Sequence, residues 1–353
     1  MNVTSNVQSY YGETLRSTAD LRTDACTTAA APSPHVKAAL SAVHDEVMSR
    51  YYGCGLAIPT ELEGLRVLDL GCGAGRDVFA LAKLVGPGGE VVGVDMTKAQ
   101  LDVARRYESW HAEQFGYAAP NTRFIEGELE HLDRLDLEPA SFDLIISNCV
   151  INLCADKPAV FRSAHRLLKP GGELYFSDVY ADRRIPEALV ADPVLYGECL
   201  SGALYWTDFH RLTADAGFVD ARVVDHRRLG ILDPELAAKV DPIRFASITT
   251  RLFKLEGLES ACEDYGQAVV YRGGIEGMER VFVLDAEHTI EAGRVFPVCG
   301  NTLAMLRDTR FAPYFDVVGS GETHLGLFPG CEAPDVFAEA GGADAASAGG
   351  GCC

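Results

Sequence analysis

Basic residues are scarce in this 353-residue chain. Lysine and arginine number 31 against 51 aspartates and glutamates, a formal net charge of −20. Such a surface repels phosphate backbones and anionic lipid, so neither nucleic acid nor a membrane surface is expected as a partner. Long apolar runs are also missing. No stretch of about 18 uncharged apolar residues occurs, and no transmembrane helix is expected. Residues 1–5 show neither a basic region nor an apolar core of the secretory type, which makes the cytoplasm the expected compartment. No C-x-x-C pair precedes the terminal Cys352-Cys353, and no two histidines have ligand spacing, so a structural zinc is not expected. None of the nine histidines stands in a Ser-His-Asp or Cys-His signature, which leaves hydrolytic and acyl-transfer chemistry without support. Internal repeats are absent as well.

What the chain does have is a glycine-rich turn after an apolar strand, in Leu68-Asp69-Leu70-Gly71-Cys72-Gly73-Ala74-Gly75-Arg76. Gly71, Gly73 and Gly75 allow a tight turn and close approach of backbone to a ligand. A dinucleotide site would place its third glycine one residue later, to seat a pyrophosphate on the helix N-terminus. Here Asp69 precedes the loop instead. A carboxylate in that place suits S-adenosylmethionine, which carries an ammonium and no phosphate. The next strand, residues 90–95, ends in Asp95 about 20 residues on, where an acid accepts ribose hydroxyls.

Strand and helix alternate from residue 65 to about 180, which predicts a parallel sheet covered by helices on both faces. Strands are expected near residues 122–125, 142–147 and 173–177. Helices are expected from Ser33-Pro34 to about Tyr51, from a capping box at Thr97-Lys98-Ala99-Gln100 to Gly116, and from Asp156 and Pro158 to Leu168. The fold class is α/β: a class I methyltransferase Rossmann-like sheet with helices on both faces, plus a smaller C-terminal α+β domain. Residues 1–64 form an arm and helix, 65–231 the cofactor-binding domain with an insertion at 180–207, 232–328 the smaller domain, and 329–353 an Ala- and Gly-rich disordered tail. In an open sheet of this kind ligands lie outside the carboxyl ends of the strands. Asp69, Asp95, Glu128 or Glu130, and Asn148 should therefore share one crevice, with Met96 and the Gly127 to Glu130 turn, which includes Leu129, beside adenine and Cys72 tolerated within the loop.

Eleven cysteines without an export signal are hard to read as a disulfide framework. Cys149 follows Asn148 and is placed near the transferable methyl; its bland alternative is a small buried residue that packs well. Cys54 lies just before strand one, and Cys199 in the insertion roofing the crevice. Three thiolates from these separate stretches would make a site that soft ions prefer. Cys149 and Cys154 could instead share a metal, although Cys154 reads better as filler.

Four blocks carry a family likeness: Asp69-Leu70-Gly71-Cys72-Gly73-Ala74-Gly75-Arg76-Asp77, Gly93-Val94-Asp95-Met96-Thr97, Ser147-Asn148-Cys149-Val150-Ile151-Asn152-Leu153 and Gly197-Glu198-Cys199-Leu200-Ser201-Gly202-Ala203-Leu204-Tyr205-Trp206. With Asp20-Leu21-Arg22-Thr23-Asp24-Ala25-Cys26 they resemble the arsenic(III) S-adenosylmethionine methyltransferases, over about residues 10–325. The first two blocks recur among methyltransferases at large; the cysteine-bearing ones are specific. The resemblance implies S-adenosylmethionine as cofactor and trivalent arsenicals as substrate. It also implies Cys54, Cys149 and Cys199 as arsenic ligands, Cys26 as a redox thiol pairing with Cys54, and thioredoxin or glutathione as reductant; the chain itself is expected to be a monomer. A single Cys26 stands where many members have two adjacent cysteines. The competing readings are a methyltransferase acting on a quinone, sterol or other small acceptor, which has no use for Cys149 or Cys199, and a non-catalytic arsenic- or metal-binding thiol protein, against which the intact loop and two acids speak.

Overall fold

The computed structural model describes residues 32–51 and 56–331. Cys26, Cys54, Cys352 and Cys353, the arm up to residue 31 and the tail from residue 332 lie outside the described residues. The strands are β1 (Arg66–Leu70), β2 (Glu90–Asp95), β3 (Thr122–Glu126), β4 (Phe142–Asn148), β5 (Leu168–Ala181), β6 (Leu204–Tyr205), β7 (Ala221–Arg228) and β8 (Phe245–Phe253). They form one sheet in the order β3-β2-β1-β4-β5-β8-β7, with β6 paired to β5. Alternate side chains of a strand point to opposite faces, and here that period divides the core. Leu68, Leu70, Val92, Val94 and Ile145 join one buried cluster with helix residues Val160, Phe161 and Phe209. Their neighbours Val67, Val91, Leu144 and Ile146 join another with Val78, Phe79, Leu101 and Ala104. Two covered faces explain why these strands read as nearly continuous apolar runs.

The helices on those faces are α1 (Pro34–Leu40), α2 (Asp45–Met48), α3 (Arg76–Val85), α4 (Lys98–Phe115), α5 (Lys157–Leu167), α6 (Glu187–Val190), α7 (Pro193–Gly197), α8 (Trp206–Asp215) and α9 (Pro234–Val240). Among the described residues, no helix is long and apolar enough to cross a membrane. The helix expected over 33–51 is two short ones. His44 breaks it by taking an extended backbone and accepting a hydrogen bond on its ring from the Glu46 amide at 3.1 Å. The capping box at Thr97 does not form either. The Thr97 hydroxyl bonds to Asp95 instead, and the Gln100 side chain faces the cofactor crevice.

The sheet differs from an all-parallel one in a single strand. β8 pairs antiparallel with β5 on one side and β7 on the other. All nine of its residues are buried, including Ser247, Thr249, Thr250 and Arg251. A domain boundary at residue 232 therefore falls inside the sheet's last ribbon, and the structure gives residues 221–253 to the main sheet.

Beyond β8 come β9 (Glu263–Asp264), β10 (Ala268–Tyr271), β11 (Val281–Val283), β12 (Thr289–Glu291), β13 (Val295–Pro297), α10 (Gly300–Arg307), β14 (Phe315–Val318) and β15 (Gly326–Leu327). They build three small sheets around a separate core of Val269, Tyr271, Phe282, Met305 and Phe311. This domain docks at the amino end of the paired part of β5, where Arg310 meets Glu173, and along β7, where Arg222 meets Asp285.

Candidate active site

Strand order reverses between β1 and β4, and the crevice beyond the carboxyl ends of those strands is the expected ligand position. A cavity lies there. It is lined by Asp69, Gly71, Cys72, Gly73, Arg76, Asp95, Met96, Leu129, Glu130, Asn148 and Cys149, together with Tyr51, Asp77, Gln100 and Cys154. Among the residues expected from sequence, Gly75 sits one position back as the cap of α3, and Glu128 is exposed outside the lining. The loop is compact because Gly71 takes φ 79° and its Cα lies against Val150, where a Cβ would come within 2.5 Å of that side chain.

Asp95 holds the loop in shape. Its carboxylate accepts from the amide of Gly73 at 2.9 Å and from that of Thr97 at 2.7 Å. Asp69 is buried, and burial together with nearby Asp77 and Asp95 pushes its carboxyl well above the ordinary range, with Arg76 opposing. The crevice is thus rich in acid. Arg76 is committed elsewhere, to Asp77 at 2.6 Å and to the face of Tyr51, 3.2 Å from the ring centroid. Asn148 donates to the Tyr51 hydroxyl at 2.6 Å and to Asp77 at 3.3 Å. The Gln100 side-chain oxygen is buried without a partner. Acids in excess of cations and an orphaned acceptor fit a ligand with an ammonium, a sulfonium and amine donors. S-adenosylmethionine has all three.

Two cysteines meet at the end of this crevice, and both adopt a left-handed backbone. Cys149, directly after β4, has φ 58°, and Cys199 has φ 60°. Side chains with a Cβ rarely occupy that region, and doing so costs about 1–3 kcal/mol. The cause at Cys199 is local. Short helix α7 ends in a Schellman arrangement, in which the Cys199 amide bonds the Tyr196 carbonyl at 3.0 Å and the Leu200 amide bonds that of Leu195 at 2.9 Å. The residue after the cap must then turn left-handed, a place usually held by glycine. The Cys199 sulfur reaches the Cys149 carbonyl at 3.6 Å.

The insertion is pinned over the loop that follows β4. The Tyr196 hydroxyl donates to the Leu153 carbonyl at 3.2 Å, and Gly202 lies so close to the Asn152 carbonyl that a Cβ would come within 2.3 Å of it. Beneath, Asp178 accepts from the amides of Asn152 and Val179, and burial raises its carboxyl to about 7. Half-buried Lys157 interacts with Cys154, Asp178, Glu130 and Cys199, the cation among these thiols and acids.

Cys149 is itself disulfide-bonded. Burial pushes the Cys154 thiol far up, and its sulfur contacts the Val150 carbonyl at 3.7 Å, as a packed protonated residue does. Cys72 is likewise buried, with its thiol held high by burial, Asp95 and Asp69. Tyr51, Asp77 and Gln100 are among the crevice residues that sequence reasoning missed. Asp77 stood inside the quoted loop block, but only its burial beside Arg76 shows its part.

A methyltransferase-domain profile matches residues 61–217, and the arsenite methyltransferase C-terminal domain matches residues 265–353. An arsenite methyltransferase of Aquipseudomonas alcaligenes is 58% identical over 326 residues, 92% of this chain and 94% of that one. The chain belongs to the arsenite methyltransferase family. The human arsenite methyltransferase is 44% identical over 337 residues, covering 95% of this chain and 88% of its own. The crystal structure of an arsenic (III) S-adenosylmethionine methyltransferase from Chlamydomonas reinhardtii superposes with a TM-score of 0.82 at 50% identity, over 84% of this chain and all of that one. Membership makes the chain a methyltransferase with S-adenosylmethionine as its cofactor.

Proposed function

We propose that this enzyme methylates trivalent arsenic held by the thiolates of Cys149 and Cys199, with Cys54 as the third ligand. The observation that carries the reading is the meeting of two strained cysteines at the mouth of the cofactor crevice. Cys149 lines that crevice, and the Cys199 sulfur lies against the Cys149 backbone. A buried pair of soft ligands next to a methyl donor is of no use to a quinone or sterol methyltransferase.

S-adenosylmethionine, when bound, supplies a methyl group to the arsenic lone pair and departs as S-adenosylhomocysteine. Asp69 offers its carboxylate to the ligand's ammonium. Asp95 is placed for the ribose hydroxyls while its loop bonds hold the turn, and Gln100 offers an acceptor. Cys149 and Cys199 fix the arsenic, so that positioning rather than acid–base help lowers the barrier. Lys157 favours anionic sulfur beside it.

Methylation leaves arsenic formally pentavalent, and two electrons return it to the trivalent state. Cys26 and Cys54 supply them by closing a disulfide, which thioredoxin or glutathione reopens. A thiol reductant is also what frees Cys149 from its disulfide for ligation. The working unit in this reading is a monomer in the cytoplasm.

The test is incubation of the full chain with S-adenosylmethionine, arsenite and thiol, with methylarsenicals followed by mass spectrometry. Cys149→Ser and Cys199→Ser should each abolish methylation in every round while S-adenosylmethionine binding persists. Full methylation by either variant would overturn the assignment, and arsenite binding without any methylated product in the parent chain would reduce it to a sequestering role.

A further inference from the structure

The C-terminal domain holds a second group of thiols that methylation does not use. Cys262, Cys299 and Cys331 place their sulfurs within 4.8 Å of one another. Short β9 and β15 pair antiparallel, and the Phe328 amide bonds the Cys262 carbonyl at 2.7 Å, which brings Cys262 and Cys331 side by side. These two form a disulfide, and Cys299 beside them is a buried thiol. None of the three lines the cofactor crevice.

Donors already point at the Cys299 sulfur. Cys299 caps the eight-residue helix α10, and its sulfur accepts from the Thr302 amide at 3.5 Å. The buried Arg222 guanidinium approaches the same sulfur at 3.9 Å. Asp220 and Asp285 hold that guanidinium in place, and its edge toward Cys299 would meet the negative charge of a ligated sulfur. Cys262 and Cys331 are half-buried, so the group opens to solvent on their side.

We propose that, once the Cys262–Cys331 disulfide is reduced, Cys262, Cys299 and Cys331 form a three-thiolate site for trivalent arsenic, separate from the methylation site. Among the described residues no histidine, aspartate or glutamate completes the group to four ligands. Structural zinc asks for four, whereas trivalent arsenic takes three sulfurs and keeps a lone pair in the fourth direction. Bonds of about 2.3 Å to a shared ion set ligand sulfurs about 3–4 Å apart, so Cys299 closes on the pair by roughly 1–2 Å while the Cys262 and Cys331 sulfurs, once reduced, move apart to the same spacing. Reduction takes two electrons from a dithiol, which also gives the two protons and closes its own disulfide, or from a phosphine, which becomes the phosphine oxide by taking oxygen from a water that gives the two protons. Arsenous acid then exchanges three As–O bonds for three As–S bonds; the three thiol protons leave in three waters, and no electrons move. The site holds trivalent arsenic on the reduced protein, and in the oxidised protein the disulfide closes it.

The proposal does not depend on the methylation reading, and its test removes that site. Full-length Cys149→Ser/Cys199→Ser protein, reduced with a phosphine, is titrated with arsenite in the absence of oxygen, and the bound arsenic is read by X-ray absorption. A bound arsenic with three sulfur neighbours is expected. Adding Cys299→Ser should leave at most two sulfurs and weaken retention at least tenfold, and adding the half-exposed Cys331→Ser should do the same without touching the buried core. S-adenosylmethionine binding, measured by calorimetry, should be unchanged by either addition. Arsenic coordination and affinity indifferent to both replacements would overturn the proposal, as would displacement of the arsenic by an equal concentration of zinc.

Discussion

A cysteine in the left-handed region is a costly way to place a sulfur, and the chain does it twice within one site. Of the four described non-glycine residues with positive φ, two are Cys149 and Cys199. At Cys199 the Schellman end of α7 demands that conformation, so glycine would be the relaxed choice there and cysteine is kept against it. This separates the energetic role of the residue from its chemical one. Cys199→Ala and Cys199→Gly should both lose methylation, yet the glycine variant should be the more stable of the two by about 1 kcal/mol, because only it escapes the Cβ clash. Chemical denaturation of both variants measures the difference. An alanine variant at least as stable as the glycine one would show that the turn is not strained.

At the scale of elements, a histidine bridges the N-terminal helices to the methyltransferase core. His111 on α4 stacks on Phe79 at 3.6 Å, donates from Nδ1 to the Tyr107 carbonyl at 2.8 Å and accepts on Nε2 from the His44 amide at 3.2 Å. That last bond exists only for a neutral ring. Burial lowers the His111 pKa to about 4, so the folded state binds its proton less readily than the unfolded chain. The resulting stability is present above about pH 6.5 and is lost as pH falls from there towards 4, to an extent of about 1–3 kcal/mol. His111→Gln should flatten that dependence, and exchange of the His44 amide should accelerate in the parent chain between pH 6.5 and 4.5. A stability profile unchanged by the substitution would rule the bridge out. Legibility from sequence followed burial at this scale. β1, β2 and β4 showed in the chain because both their faces are covered, and the Gly-x-Gly-x-Gly turn with Asp69 and Asp95 located the crevice without any coordinates. β8 was illegible because its buried residues include Ser247, Thr249, Thr250 and Arg251, a composition that reads as surface until the partner strands are known. The crevice's Tyr51 was hidden for a similar reason, since it arrives from outside the sheet and its contacts with Arg76 and Asn148 reveal it.

Across the whole molecule, one buried charge cluster joins the sheet to the second domain. Glu173 at 0% exposure accepts from Arg251 of β8 at 2.6 Å, and Arg310 of the C-terminal domain pairs with its other oxygen. Arg251 also donates to the Leu284 carbonyl, and Arg310 to that of Thr60 at 3.0 Å, so the two guanidiniums stitch three segments together. Burial alone would raise the Glu173 carboxyl, but Arg251 and Arg310 more than offset it and hold it below its usual value. Removing the charge leaves two cations buried without a counter-ion, a loss of about 3–5 kcal/mol. Glu173→Gln should therefore destabilise the chain by that much at pH 7 and loosen the docking of residues 255–328, seen in denaturant unfolding as an early separate transition. The sign with pH follows from the depressed carboxyl. The parent's advantage holds above its unfolded pKa of about 4.3 and is lost as pH falls towards the lower folded value, so the gap between the two proteins should begin to narrow below about pH 4. The cofactor crevice lies at the opposite ends of the strands, and S-adenosylmethionine affinity should change little in the variant. A Glu173→Gln protein within 1 kcal/mol of the parent at pH 7 would show that the two domains are held together by their other contacts, the Arg222–Asp285 pair among them, rather than by this cluster.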